Sequence, residues 1–318
     1  MSNMSEINKK STRDGFGVGI IEIAQKDERV VAISADLAES VRLKEFKEKF
    51  PERFVECGVA EQSMATIASG MANYGKIPFM ASYAMFSPGR NWEQIRTTIA
   101  INNLPVKIIG SHAGIITGAD GVTHQALEDI AIMRCLPNMT VIVPCDAEEA
   151  RKATIASIEI GGPVYIRLSR EATPVLTRED DEFKIGKANI LREGKDATIV
   201  GCGWILSEAI LATEDLAKEG VECEVINMHT VSPIDSKTLV ESVNKTGCLV
   251  SVEDHQVEGG LGSAIAQTLA LTRPTPQEFV AVIHQFGQSG MAGELIKRYG
   301  LDAETIKQKI KKAIARKI

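Results

Sequence analysis

At 318 residues the chain is long for one core and comfortable for two, and 44% apolar with 25% charged residues is the make-up of a folded globular protein. A net charge of −6 without a basic block in the folded pattern excludes a nucleic-acid surface, and no apolar stretch reaches membrane-spanning length. Cys57, Cys135, Cys145, Cys202, Cys223 and Cys248 form no C-x-x-C pair and several sit in apolar runs, which predicts buried thiols in a reducing, cytoplasmic setting rather than a disulfide frame or zinc site.

The opening "MSNMSEINKK" is polar and carries no apolar signal core. Short β-rich runs then alternate with helical periods. Strands are predicted at 29–34 ("RVVAIS"), 53–57 ("RFVEC"), 77–82 ("IPFMAS"), 105–111 ("PVKIIGS"), 139–144 ("MTVIVP") and 163–169 ("PVYIRLS"), with helices such as "GRNWEQIRTTIAINN" and "DAEEARKATIASIEI" between them. Such alternation means a mostly parallel sheet with helices on both faces. Residues 170–183, "REATPVLTREDDEF", are polar and aperiodic and read as a linker. Next, "KIGKANILREGKDATIVGCG" reads as a hairpin, and a second alternating run continues to a basic C-terminal helix with a solvated face. The fold class is therefore α/β: two three-layer α/β/α domains with mostly parallel sheets, at 1–175 and 185–318. The glycine group "EGGLGSAIAQ" opens a helix but lacks the G-x-G-x-x-G spacing, so it reads as turn and packing rather than a dinucleotide loop. His229, His255 and His284 show no ligand-like clustering and read as structural.

The stretch "VECGVAEQSMATIASGMANYG" holds an unusual helix. Over Ala60–Asn73, with Gly75 as its stop, three stripes emerge. Gln62, Thr66, Ser69 and Asn73 are polar; Ala60, Met64, Ile67 and Met71 are apolar; Glu61 heads a stripe of Ala65, Ala68 and Ala72. Small side chains let another backbone approach, so Glu61 is expected to point into packed protein. A first-turn glutamate can simply complement the helix dipole. A buried one has its pKa raised by desolvation and can hold a proton for a hydrogen bond. The helix alone does not choose. In open parallel sheets ligands sit beyond the carboxyl ends of the strands. Those ends carry Asp36 and Ser40, then Glu61, then Tyr83, Phe86 and Arg90, then His112, Asp120 and His124, and last Arg170.

With these residues placed, the chain resembles the C-terminal part of a transketolase, in the form split over two polypeptides. "STRDGFG", "SADLAES", "ECGVAEQSM", "GSHAGIITGADGVTHQALED", "IRLSRE" and "VEDHQVEGGLG" carry the likeness in order. It covers essentially the whole chain, as a pyrimidine-binding domain followed by the C-terminal domain. The resemblance implies that Glu61 bonds a pyrimidine nitrogen of thiamine diphosphate and stabilises the imino tautomer that deprotonates the thiazolium carbon. It implies that Tyr83 and Phe86 pack on the pyrimidine and that Asp36 lies near the cofactor. His112 and His124 would stand near the substrate hydroxyls and reacting carbons, and Asp120 would accept from the hydroxyl beside the cleaved bond. Arg13, Ser40 and Arg170 would grip a terminal phosphate. "FSPGR" is one residue longer before its arginine than in some relatives, which leaves the role of Arg90 open.

Families with this cofactor hold its diphosphate through Mg²⁺ on a G-D-G segment, and none occurs here; "GADG" at 118–121 belongs to the substrate loop. No residue of this chain is assigned to the metal. The resemblance thus implies an N-terminal partner subunit carrying the Mg²⁺ half, an α₂β₂ assembly with homodimeric contacts, and sugar phosphates as substrates. The alanine stripe beside Glu61 is expected to form part of the contact with that partner. The implied activity is transfer of a two-carbon ketol unit from a ketose to an aldose. One alternative is the β subunit of a 2-oxoacid dehydrogenase first component, which the histidine-to-"DGVTH" spacing and the arginine after "RLS" argue against. Another is a 1-deoxyxylulose-5-phosphate synthase, normally one longer chain. A non-catalytic scaffold subunit would have no use for intact Glu61, His112 and Asp120.

Overall fold

The computed structural model describes residues 8–317. The first seven residues, with most of the polar opening stretch, and Ile318 lie outside the described residues. In the first sheet β1 (Val30–Ser34), β2 (Phe54–Glu56), β3 (Ile77–Tyr83), β4 (Lys107–Ser111), β5 (Thr140–Ile142) and β6 (Val164–Arg167) fall within two residues of their expected runs. They pair in parallel in the order β5-β6-β4-β3-β1-β2. Central strands such as β1 and β4 are buried along their whole length in a sheet covered on both faces; Lys107 at the head of β4 is buried too, its Nζ donating to the Ile160 carbonyl at 2.7 Å.

Helices flanking this sheet include α1 (Thr12–Ala24), α2 (Glu61–Asn73) and α3 (Ala147–Ser157). The Ser11 hydroxyl accepts from the Asp14 N–H, and the Asp14 carboxylate bonds back, so a capping box opens α1. A Cβ on Gly15 would lie 1.8 Å from the Ala147 carbonyl oxygen, so α1 meets α3 backbone to backbone on one face. On the other face α2 buries Met64, Ala65, Ala68 and Ala72 in the core shared with Ile95 and Ile99. The alanine stripe is therefore internal and does not face a partner; it lets α2 sit close to its own sheet. The outer side of α2 shows Gln62, Thr66 and Asn73, with Ile67 38% exposed. Ser69, expected among the polar stripe, turns inward and donates to the Thr98 carbonyl at 3.0 Å.

The second sheet contains β7 (Asn189–Arg192), β8 (Ala197–Gly201) and β9 (Cys223–Asn227). After β10 (Thr230–Ser232), which leaves it, come β11 (Leu249–Gln256) and β12 (Gln277–Val282). Its order is β12-β11-β8-β9-β7. Helices α4 (Leu206–Lys218) and α7 (Ala303–Ala315) pack one face; α5 (Ser236–Thr246) and α6 (Leu261–Leu271) pack the other. Two three-layer units result.

Three local readings are corrected. The expected hairpin does not form: β7 pairs antiparallel with β9, while β8 lies between β9 and β11. β8 is buried throughout and takes a central place, which leaves half-exposed β7 for the edge. Second, β10 crosses back and pairs antiparallel with β5, making the first sheet seven-stranded. Third, the linker is a strap. Lys9–Lys10 pair with Thr173–Pro174, and the Leu176 and Thr177 N–H groups donate to Asp146 Oδ2 at 2.7 and 2.6 Å. The glycine group closes on a buried carboxyl group: Glu253 accepts from the Leu261 and Gly262 N–H groups at 2.7 and 2.8 Å, at the start of α6. A Cβ on Gly260 would lie 2.1 Å from that carboxyl group, so the turn is packed tightly against Glu253.

Candidate active site

The carboxyl ends of the first sheet bring most of the expected residues into one cluster. β4 ends in Ser111, and His112 follows at φ 55°, a left-handed conformation rare for a non-glycine residue. Local bonds hold it there. Thr117 Oγ1 donates to the His112 carbonyl at 2.6 Å, and Ser111 Oγ lies 2.9 Å from Nδ1. Arg13 Nη1 lies 3.3 Å from Nε2. A guanidinium can only donate, so Nε2 accepts and the ring proton sits on Nδ1, toward Ser111. Burial, then the charges of Arg13, Arg170, Arg42 and His124, push the His112 pKa down to about 3, which matches a neutral ring.

Tyr83, at the end of β3, stacks on His112 with ring centres 3.8 Å apart. Phe86 lies 6.0 Å from Tyr83 in a near-parallel arrangement, and His124 meets both aromatics edge-on at 5.9 and 5.4 Å. The Arg90 guanidinium lies 4.7 Å over the Phe86 ring and pairs with Glu61 Oε2 at 2.7 Å. Glu61 is 2% exposed, as its stripe implied. Asn91 also ties the head of α2 to this loop by donating to the Glu61 carbonyl at 2.9 Å.

The expected phosphate set is partly internally engaged. Arg13 donates to the Ser40 backbone carbonyl at 2.9 Å, so Ser40 meets the cluster through its main chain. Arg170 pairs with Asp120 at 2.9 Å, both about a third exposed. Arg42, which sequence reasoning passed over, adds a third guanidinium beside Arg13 and is itself paired with Asp14 at 2.6 Å. Asp36 is exposed at φ 60° after β1, and its N–H donates to Glu56 Oε1 at 2.7 Å rather than into the cluster. His229 and His255 are buried elsewhere and His284 is exposed near Glu258. Ser111, Thr117 and Arg42 went unread although each lies in or beside a segment singled out above; a polar residue touching a catalytic-type histidine leaves no mark of its own in sequence. Among the described residues no group of three or more His, Cys, Asp or Glu side chains is placed to hold a metal ion.

A buried acid, an aromatic platform and two histidines thus stand together at the carboxyl edge of a parallel sheet, where ligands of such folds sit. The chain belongs to the transketolase family: the transketolase pyrimidine-binding domain matches residues 8–175 and the transketolase C-terminal domain matches 186–306. It has the extent of the C-terminal subunit of a split transketolase. A putative transketolase C-terminal section of Methanocaldococcus jannaschii is 42% identical over 304 residues, covering 95% of each chain. A 6-deoxy-6-sulfo-D-fructose transketolase subunit of Clostridium sp. (strain MSTE9) is 42% identical over 294 residues, covering 92% of this chain and 91% of that one. A solved structure described as a split gene transketolase, inactive beta4 tetramer, superimposes with a TM-score of 0.91 at 41% identity, over 97% of this chain and 99% of that one.

Proposed function

We propose that the chain is the C-terminal subunit of a thiamine-diphosphate-dependent transketolase that passes a two-carbon ketol unit from a ketose phosphate to an aldose phosphate. The observation that carries this reading is Glu61: a buried acid at the sheet's carboxyl edge, bonded to a planar guanidinium that lies on the Phe86 ring. A flat group with N–H donors, lying on an aromatic face and paired with a buried carboxyl, makes the same demands as an aminopyrimidine. Glu61, Phe86 and Tyr83 therefore fit that end of the cofactor. When bound, thiamine diphosphate supplies the nucleophilic carbon and the electron sink for carbon–carbon cleavage.

The chain's own residues divide the remaining work. Glu61 would offer Oε2, the oxygen now paired with Arg90, to the pyrimidine end of the cofactor as a hydrogen-bond partner once Arg90 swings aside. Tyr83 and Phe86 keep water off the site. His112, held neutral by burial and the neighbouring guanidinium groups, accepts a hydrogen bond at Nε2 from a substrate hydroxyl when Arg13 turns away. His124, edge-on to both aromatics, borders the reacting carbons. Asp120 accepts from the hydroxyl beside the cleaved bond when Arg170 turns to the phosphate, which Arg13 and Ser40 approach from α1 and the loop after β1. Asp36 is assigned to the cofactor's surroundings by the family likeness.

Residues 1–175 form the pyrimidine-binding unit and 185–318 the C-terminal unit of this reading. Mg²⁺ and the diphosphate fall to an N-terminal partner subunit in an α₂β₂ assembly, and the solved relative described as an inactive β₄ tetramer agrees with a subunit that needs another to act. A cytoplasmic, carbohydrate-metabolic setting such as the pentose phosphate pathway suits free thiols and phosphorylated sugars; no described helix is long and apolar enough to cross a membrane. The test assembles the chain with its partner and supplies a ketose phosphate donor. Glu61→Ala should abolish turnover and leave assembly intact; full activity in that variant would end the catalytic reading.

A further inference from the structure

The loop that carries His112, Asp120 and His124 is anchored from the second sheet as well as the first. Ile115 and Ile116, both at most 1% exposed, lie in the second unit's core beside Val252, Val282 and Leu295. Asp254 on β11 is 3% exposed; its Oδ1 accepts the Ile115 N–H at 2.9 Å and its Oδ2 the Trp204 indole N–H at 2.8 Å. A Cβ on Gly114, at φ 85°, would lie 2.0 Å from that Oδ2, so the loop backbone is seated on the carboxylate. The Asp254 carbonyl accepts from Arg167 Nη2 at 2.8 Å, and the same nitrogen donates to the Ala126 carbonyl at 3.1 Å. Gln125 closes the far end: its Nε2 reaches the carbonyls of Ile115, Gly118 and Gln288 at 3.1, 3.3 and 3.0 Å.

We propose that Asp254 is a positioning residue, through which the C-terminal unit sets the register of the loop bearing His112, Asp120 and His124. A buried carboxylate is stable only where donors converge on it, and here one donor comes from the loop and one from its own unit. That arrangement fixes the loop against the second sheet rather than merely covering it. The activity arm of the test rests on the transketolase reading; a second arm does not.

In the full chain assembled with its diphosphate-binding partner, Asp254→Asn turns an amide N–H toward one of the two donors. With a ketose phosphate donor, kcat should fall about tenfold or more, since misplacing reacting groups by an ångström costs that much. KM for the donor should change less than kcat, because Arg13 and Ser40, which approach the phosphate, are not on the loop, whereas His112 and Asp120 are. Adding Trp204→Phe removes the facing indole N–H and should restore part of kcat. On the full chain alone, histidine NMR should show the His112 and His124 ring signals shifted in Asp254→Asn and those of His229 unmoved. Gln125→Leu, which cuts the clamp at its other end, should repeat the kcat loss and serves if Asp254→Asn does not fold. Wild-type kcat with only a lowered Tm, or unmoved His112 signals, would overturn the proposal. An inactive wild-type complex would instead overturn the transketolase reading and leave the NMR comparison to decide this one.

Discussion

Glu61 and Arg90 stand 29 residues apart in sequence and 2.7 Å apart in space. Arg90→Ala leaves a buried carboxylate oxygen without its donor. Such a loss costs about 1–3 kcal/mol, and the half-exposed arginine puts it toward the low end. Chemical unfolding of Arg90→Ala, Glu61→Gln and the double variant measures it: the double variant should lose less than the sum of the singles, and strict additivity would mean the pair is idle. The burial of Glu61 was legible from the three alanines below it. Its partner was not, because nothing local tells a strand-end arginine which way a loop will fold.

At the scale of elements, Glu253 shows how a motif can be read correctly in kind and missed in cause. "EGGLG" announced a turn and close packing, and the reason proves to be a carboxylate eight residues earlier that bonds the first N–H groups of α6. Glu253→Ala should therefore destabilise the chain by about 1–3 kcal/mol, the cost of leaving buried N–H groups at a helix start without their acceptor, as seen in denaturant midpoints. A change under about 0.5 kcal/mol would show that α6 needs no such cap. Five of the six parallel strands of the first sheet were legible because each is a continuous buried run bounded by turn residues; β2, half-buried at the edge, was legible from its β-branched and aromatic residues. β7, β10 and the strap at 173–177 were misread or missed because edge pairing depends on which sheet offers a free edge, and composition does not record that. The alanine stripe likewise specified close packing without saying against what.

Across the whole molecule, the two units share a strand and a buried seam. His229 lies in that seam, with its carbonyl accepting from the Val143 N–H at 2.7 Å and its ring 4.4 Å from Phe183. Burial lowers its pKa to about 4. Because the folded value lies below the unfolded value of about 6.5, the unfolded chain binds the extra proton. The stability this group permits is present above pH 6.5 and is lost as pH falls toward 4, by up to about 1.4 kcal/mol per unit. His229→Gln should narrow the gap in unfolding free energy between pH 7 and pH 5; an unchanged gap would place the acid sensitivity elsewhere. On the proposed reading the molecule is half of a catalytic site, with the acid and aromatics here and the diphosphate grip on another chain. The most direct test is a calorimetric titration of thiamine diphosphate with Mg²⁺, run beside a ketol-transfer assay, on the isolated chain and on the chain with its N-terminal partner. Tight binding and turnover should appear only in the mixture; tight binding and turnover by the isolated chain would contradict the account.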